Sequence, residues 1–166
     1  MDGKNNITLI GMPGAGKSTI GIILAKYMAF GFIDTDVLIQ INYQKSLQQI
    51  MDDADYLYLR RIEETEILKI NIDRHVIATG GSAVYSEKAM RHLSQISRVV
   101  FLKAAYETLE KRIHNFDTRG IASPGTRPFA NCMRSARCCM KNTVKWSLTR
   151  SLEPGGDCGH YRRQLS

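Results

Sequence analysis

The sequence predicts an α/β chain in which a parallel sheet is covered by helices on both faces, giving three layers. Three observations carry that prediction. The stretch Gly11-Met12-Pro13-Gly14-Ala15-Gly16-Lys17-Ser18-Thr19 fits G-x-x-x-x-G-K-[ST] and follows the apolar run Ile7–Ile10 directly. Short β-branched runs alternate with segments of helical periodicity, as at His75–Thr79 and Val99–Leu102. Strands end in chemistry-bearing clusters, Asp34-Thr35-Asp36 after Phe32-Ile33 and Gly80-Gly81-Ser82 after His75–Thr79, at the edge where open α/β sheets bind their ligands.

Ile7–Ile10 reads as the first strand and the glycine-rich stretch as a phosphate cradle at its end. Glycines let the backbone curl with its N–H groups inward, the helix beginning near Lys17 adds its positive end, and the lysine ammonium adds a full charge. A nucleoside triphosphate is the expected ligand. Ser18 is then placed to hold Mg²⁺, a hard cation that takes oxygen ligands and keeps several waters. A plain glycine-rich turn is the structural alternative, and the strand before and helix after it argue against that. Ile20, Ile23, Leu24, Tyr27 and Met28 recur at helical spacing and predict an amphipathic helix over Lys17–Met28.

Gly31 ends that segment and Phe32-Ile33 makes a short buried strand. Two carboxylates, Asp34 and Asp36, then stand beside the triphosphate site, which suits one metal role and one substrate-hydroxyl role. An N-cap for a helix over Val37–Ile41 is the alternative, and it accounts for only one of the two. Residues 46–55 form a polar helical connection, and Tyr56–Ile70 a long surface helix with Leu59, Ile62, Ile67 and Ile70 inward. Arg60 and Glu63 share one face of it, which by itself describes an ordinary solvated pair. His75–Thr79 has the character of a central parallel strand. The glycines after it serve either close ligand approach or a tight turn into the helix near Ser86–Leu93. Val99–Leu102 is a further buried strand and Ala105–His114 a helix. The four histidines, His75, His92, His114 and His160, lack ligand spacing and are read as structural or exposed.

Composition narrows the class. A chain of 166 residues, 43% hydrophobic, suits one globular domain. No run approaches the ~18 apolar residues of a membrane span and the N-terminus lacks the plan of a signal peptide, so a cytoplasmic protein without a membrane partner is expected. The net charge of +7 is unevenly spread: residues 1–121 hold fifteen Lys/Arg against fourteen Asp/Glu, and residues 122–166 hold eight against two. All four cysteines (Cys132, Cys138, Cys139, Cys158), the single tryptophan Trp146 and three of the four prolines also follow residue 121.

The motifs resemble one family, the shikimate kinases, small relatives of the nucleoside monophosphate kinases. The resemblance covers about residues 5–122 and rests on G-M-P-G-A-G-K-S-T, D-T-D at Asp34–Asp36, L-R-R-I-E-E at Leu59–Glu64, A-T-G-G-S-A-V at Ala78–Val84 and N-F-D-T-R at Asn115–Arg119. Gluconate kinases and adenylate kinases share the first motif without that series. The resemblance implies a P-loop three-layer fold of the nucleoside-monophosphate-kinase type with a mobile lid around Asn115–Gly125. It implies transfer of the ATP γ-phosphoryl to the 3-hydroxyl of shikimate, on the route to aromatic amino acids. ATP would lie on Gly14, Ala15, Gly16, Lys17, Ser18 and Thr19, with Arg112 against adenine and Arg119 closing over the phosphates. Ser18 and Asp34 would hold Mg²⁺. Asp36, Arg60, Gly80, Gly81 and Ser82 would meet shikimate: Asp36 its hydroxyls, Arg60 its carboxylate with Glu63 steadying it, and the glycines presenting backbone N–H to it or to the γ-phosphate. Lys17, Asp36 and Arg119 would carry the catalysis. The family usually has a third glycine where Ser82 stands, which implies a tighter pocket. A monomer with no specific nucleic-acid partner is expected. Alternatives are an ATP-binding protein without catalysis and a kinase for another small polyol such as gluconate.

Residues 1–122 thus read as the kinase-like domain and residues 123–166 as an atypical basic, cysteine-containing tail. The family continues with a helix bearing a second carboxylate-binding arginine, then a last strand. Here the codons implied by the tail, shifted by two bases, force leucine at Asn131/Cys132 and Cys138/Cys139 and glutamate at Met140/Lys141. They permit L-Y-E-E-R-A-L-L-Y-E-K-Y-G-E-M-V-I-D-T, which has the missing helix-and-strand pattern. An out-of-frame tail would lack that arginine and leave the sheet without its last strand, predicting weak stability and little turnover. Zinc binding by the cysteines lacks paired C-x-x-C spacing, and a basic arm would meet nucleic acid only nonspecifically.

Overall fold

The computed structural model describes residues 4–112, 146–149 and 162–165. Six strands form one sheet: β1 (Asn6–Ile10), β2 (Gly31–Asp34), β3 (His75–Ala78), β4 (Ser97–Lys103), β5 (Trp146–Thr149) and β6 (Arg162–Leu165), in the order β2-β3-β1-β4-β5-β6. The first five run parallel and β6 pairs antiparallel to β5. The helices are α1 (Lys17–Met28), α2 (Thr35–Tyr43), α3 (Leu47–Asp53), α4 (Tyr56–Leu68), α5 (Glu87–Ile96) and α6 (Tyr106–Arg112), with a 3₁₀ turn at Ala83–Tyr85.

β1 and β3 are central strands and read as near-continuous apolar runs because helices cover both faces. Leu9, Ile10, Val76 and Ile77 are fully buried, and Met90, Leu93, Phe101 and Leu109 pack into the same core. The two buried hydroxyls of this layer satisfy each other, Thr8 Oγ1 and Ser97 Oγ lying 2.6 Å apart. A smaller cluster of Ile39, Ile50, Leu59 and Ile62 joins α2, α3 and α4. Capping punctuates these helices as the local sequence directs. Ser46 and Gln49 close a capping box on α3, Asp55 accepts from Tyr58 N–H at α4, and Ser86 accepts from Ala89 N–H at α5.

Two expectations need correction. α1 forms where predicted, but its inward face is Ile20, Gly21 and Ala25, whereas Ile23 and Tyr27 are 64% and 89% exposed. A Cβ on Gly21 would strike the Phe32 ring, so small residues set how closely this helix approaches the sheet. The sheet does have a strand after β4: Trp146–Thr149 pairs with it in parallel, Val100 opposite Trp146 through Lys103 opposite Thr149. The proposed lid, Arg119, His114, His160 and all four cysteines lie outside the described residues. Among the described residues, no helix is long and apolar enough to cross a membrane.

Candidate active site

The sheet order puts the carboxyl ends of β1, β2 and β3 side by side, so the three sequence clusters after them meet at one edge. After β1 the chain turns through Gly14 and Gly16, at φ 78° and 88°. That left-handed backbone is open to glycine at no steric cost. Gly16 is the N-cap residue of α1 and has no side chain to offer as a cap, so the N–H groups of the first turn point at the cradle, ready for an anion.

Lys17 folds back over the loop, its Nζ donating to the carbonyls of Gly11 (2.9 Å) and Met12 (3.1 Å). Burial holds its ammonium below the usual lysine range, opposed by the negative charges of Asp36, Asp34 and Glu63. At the loop's other side Arg112 of α6 donates from Nη1 to the Gly14 carbonyl at 3.3 Å. The helix after β4 therefore reaches the phosphate cradle.

Asp34 and Asp36 divide their work as two different groups. Asp34 caps α2, its Oδ1 accepting from Asp36 N–H at 3.0 Å, and its Oδ2 accepts from Ser18 Oγ at 2.5 Å. The cap of α2 and the contact with Ser18 thus fall on one residue. Asp36 is left to face inward, and burial pushes its carboxyl up to about 6, with Lys17 pulling it down and Asp34 pushing it further up. Thr35 between them is fully buried and was not singled out by pattern: its hydroxyl accepts the Gly80 N–H at 2.9 Å, tying the end of β2 to the end of β3.

Gly80 consequently spends its backbone N–H within the protein, which differs from the expectation that it faces a ligand. What Gly80 supplies is space. A Cβ there would collide with Glu63 Oε1 and Asp36 Oδ1, and one on Gly81 would press on the Pro13 ring of the loop. Glu63 is 3% exposed. Its Oε2 accepts from the Ser82 hydroxyl and its Oε1 is buried with no hydrogen-bond partner among the described residues. Burial and the neighbouring Asp36 push Glu63 up to about 7, against the Ser82 hydrogen bond, Lys17 and Arg60. Arg60, one turn before Glu63 on α4, lies with its guanidinium carbon 4.2 Å from the Tyr85 ring centre and 5.2 Å from that of Tyr56. It lines a pocket of about 270 Å³ together with Ser82 and Tyr85.

The arrangement offers a cradle for a polyphosphate, a carboxylate able to take a hydroxyl proton, and a guanidinium for an anionic group. Ser18 Oγ and Asp34 Oδ2 form an oxygen pair at the open mouth. Among the described residues no cluster of three or more His, Cys, Asp or Glu could hold a metal unaided. A pair of oxygens completed by phosphates and water is how Mg²⁺ is ordinarily held, so these residues fit it.

The family described as shikimate kinase matches residues 13–147. Shikimate kinase 2 of Serratia proteamaculans is 33% identical over 129 residues, 76% of this chain and 74% of that protein. Shikimate kinase of Clostridium botulinum (strain ATCC 19397 / Type A) is 36% identical over 135 residues, 80% of this chain and 79% of that protein. Among solved structures, shikimate kinase from Acinetobacter baumannii in complex with shikimate superimposes with a TM-score of 0.77 at 22% identity, over 93% of this chain and 87% of that one, a likeness of fold. The family match runs past residue 122.

Proposed function

As the chain belongs to the shikimate kinase family, we propose that it transfers the γ-phosphoryl group of ATP to the 3-hydroxyl of shikimate, yielding ADP and the 3-phosphate ester. The observation that carries this reading is the approach of Asp36 and Glu63 to Gly80 beside the phosphate cradle, with Arg60 one turn before Glu63 on α4. A carboxylate-bearing polyol fits that combination, gluconate as well as shikimate, and the family match favours shikimate.

The chain's residues then take these parts. Backbone N–H groups of Gly14–Thr19 and the Lys17 ammonium surround the transferring phosphates, where preorganised donors stabilise the charge spread over the phosphoryl oxygens. Asp36 holds the acceptor hydroxyls and takes the proton that leaves the attacking oxygen, a role suited to a carboxyl pushed up to about 6. Arg60 pairs with the acceptor carboxylate through its planar fork. Ser18 and Asp34 would hold Mg²⁺, which when bound would neutralise phosphate charge. Arg112, already at the Gly14 carbonyl, lies along the nucleotide. Ser82 and the two glycines complete the acceptor side. The reading carries with it a monomer acting in the cytoplasm on small molecules, without a nucleic-acid or membrane partner.

Shikimate-dependent formation of ADP by the full chain, with gluconate as the control acceptor, tests it. Saturation by shikimate and indifference to gluconate supports the proposal. Equal use of both acceptors, or ATP binding with no transfer to either, overturns it.

A further inference from the structure

The turn after β3 grips α4 at three adjoining positions. Ser82 donates its hydroxyl to Glu63, the Tyr85 ring lies 4.2 Å from the guanidinium carbon of Arg60, and Ser86 donates to Glu64 Oε2 at 2.5 Å. Tyr56, in the first turn of α4, offers a second aromatic face to the same guanidinium at 5.2 Å. A long, flexible cation would otherwise lose rotamer freedom each time a ligand engaged it. An aromatic face takes that freedom away beforehand, because the ring quadrupole attracts the cation wherever it is shielded from water.

Neither residue type is demanded by the turn itself. Ser82 sits at φ −94° and ψ −8°, ordinary for any L residue, and its hydroxyl caps nothing in the 3₁₀ turn. The hydroxyl's partner is a carboxylate 3% exposed, whose other oxygen faces Gly80 alongside Asp36. The charged groups around Glu63 are Arg60 on its own helix, Asp36 on α2 and Lys17 on α1.

We propose that Ser82 and Tyr85 are positioning residues for the acceptor site: the turn that carries them holds Glu63 through the Ser82 hydroxyl and Arg60 through the Tyr85 ring, so that the anionic end of the acceptor meets a guanidinium already in place. The proposal rests on the reading of Arg60 as the carboxylate ligand. Beyond lining the acceptor pocket, Ser82 and Tyr85 act through their neighbours on α4.

Tyr85→Leu, Tyr85→Phe and Ser82→Ala in the full chain test it. In the ligand-free protein, the NMR signal of the Arg60 Nε–H group should carry a ring-current displacement that Tyr85→Leu cuts to the share of the Tyr56 ring and Tyr85→Phe retains. Tyr85→Leu should raise KM for shikimate about fivefold while kcat and KM for ATP stay put, and Tyr85→Phe, which keeps the ring, should show a smaller rise than Tyr85→Leu. Ser82→Ala should raise the Glu63 titration midpoint, read from its carboxyl carbon, by about a tenfold change in proton affinity. An Arg60 signal indifferent to the loss of the ring overturns the proposal, as does a parallel loss of kcat and both KM values, which marks general loosening. If the unaltered chain ignores shikimate, the acceptor reading fails by itself. The two NMR readouts still decide the positioning roles: unchanged signals refute them and displaced signals support them.

Discussion

Asp36 and Glu63 direct carboxylate oxygens at the same point, the place a Cβ on Gly80 would occupy, from two different helices. Both carboxyls are pushed upward, chiefly by burial, and Asp36 pushes Glu63 further across the strip of space that a missing side chain leaves open. This is why the second strand-end cluster needs glycine for a steric reason rather than for its backbone freedom.

Gly80→Ala should therefore damage the acceptor side and spare the nucleotide side. The methyl group has to displace Glu63 and Asp36 together, and a shift of about 1 Å at reacting groups costs on the order of a hundredfold in rate. Steady-state kinetics with shikimate, compared with equilibrium binding of a nonhydrolysable ATP analogue, reads the difference. Equal loss of both would place Gly80 in the general scaffold.

Glu63 makes the stability of the fold depend on pH in a stated direction. Its folded-state midpoint of about 7 lies above the ordinary carboxyl value of 4.5. The folded protein thus binds more protons than the unfolded chain between those values, and this group's contribution to stability falls as pH rises through that window. Glu63→Gln removes the titration. Its melting temperature relative to the unaltered chain should rise steadily from pH 4.5 to 7, and a constant difference would contradict the assignment.

Asp36→Asn keeps size and loses basicity. General-base catalysis is typically worth about 10²–10⁴-fold, so kcat should drop by that order while nucleotide affinity holds. Single-turnover transfer from ATP measures it, and a loss below threefold would move the proton-accepting role elsewhere.

Lys17→Met should weaken polyphosphate binding and slow transfer by roughly 10²–10³-fold, since it removes one preorganised donor from the developing charge. The fold should persist, because the ammonium's partners here are two loop carbonyls that water can serve. Titration with ATP and a thermal melt separate the two effects.

Much of this site was legible in the residues. Gly11–Thr19, Asp34, Asp36, Arg60 and the Gly80-Gly81-Ser82 cluster are brought to one sheet edge, because parallel topology places strand ends together whatever fills the intervening helices. Pattern failed where tertiary partners decide. Thr35 looks like a spacer between two aspartates, and only the neighbouring strand reveals that its hydroxyl takes the Gly80 N–H. The inner face of α1 was misjudged because Gly21 and Ala25 pack by being small, which a count of large apolar residues overlooks. The grip of Ser82 and Tyr85 on α4 joins positions more than fifteen residues apart and leaves no periodic signal. β6 breaks the parallel rule, and nothing in the composition of residues 123–166 announced it.

The most direct test of the account is phosphoryl transfer itself, followed by ³¹P NMR with ATP, Mg²⁺ and shikimate at high protein concentration. The account predicts a new phosphate-monoester signal that grows with ADP in equal amount, saturates with shikimate and disappears in Asp36→Asn. ADP formation indifferent to shikimate, or a monoester that forms as readily from gluconate, would contradict it.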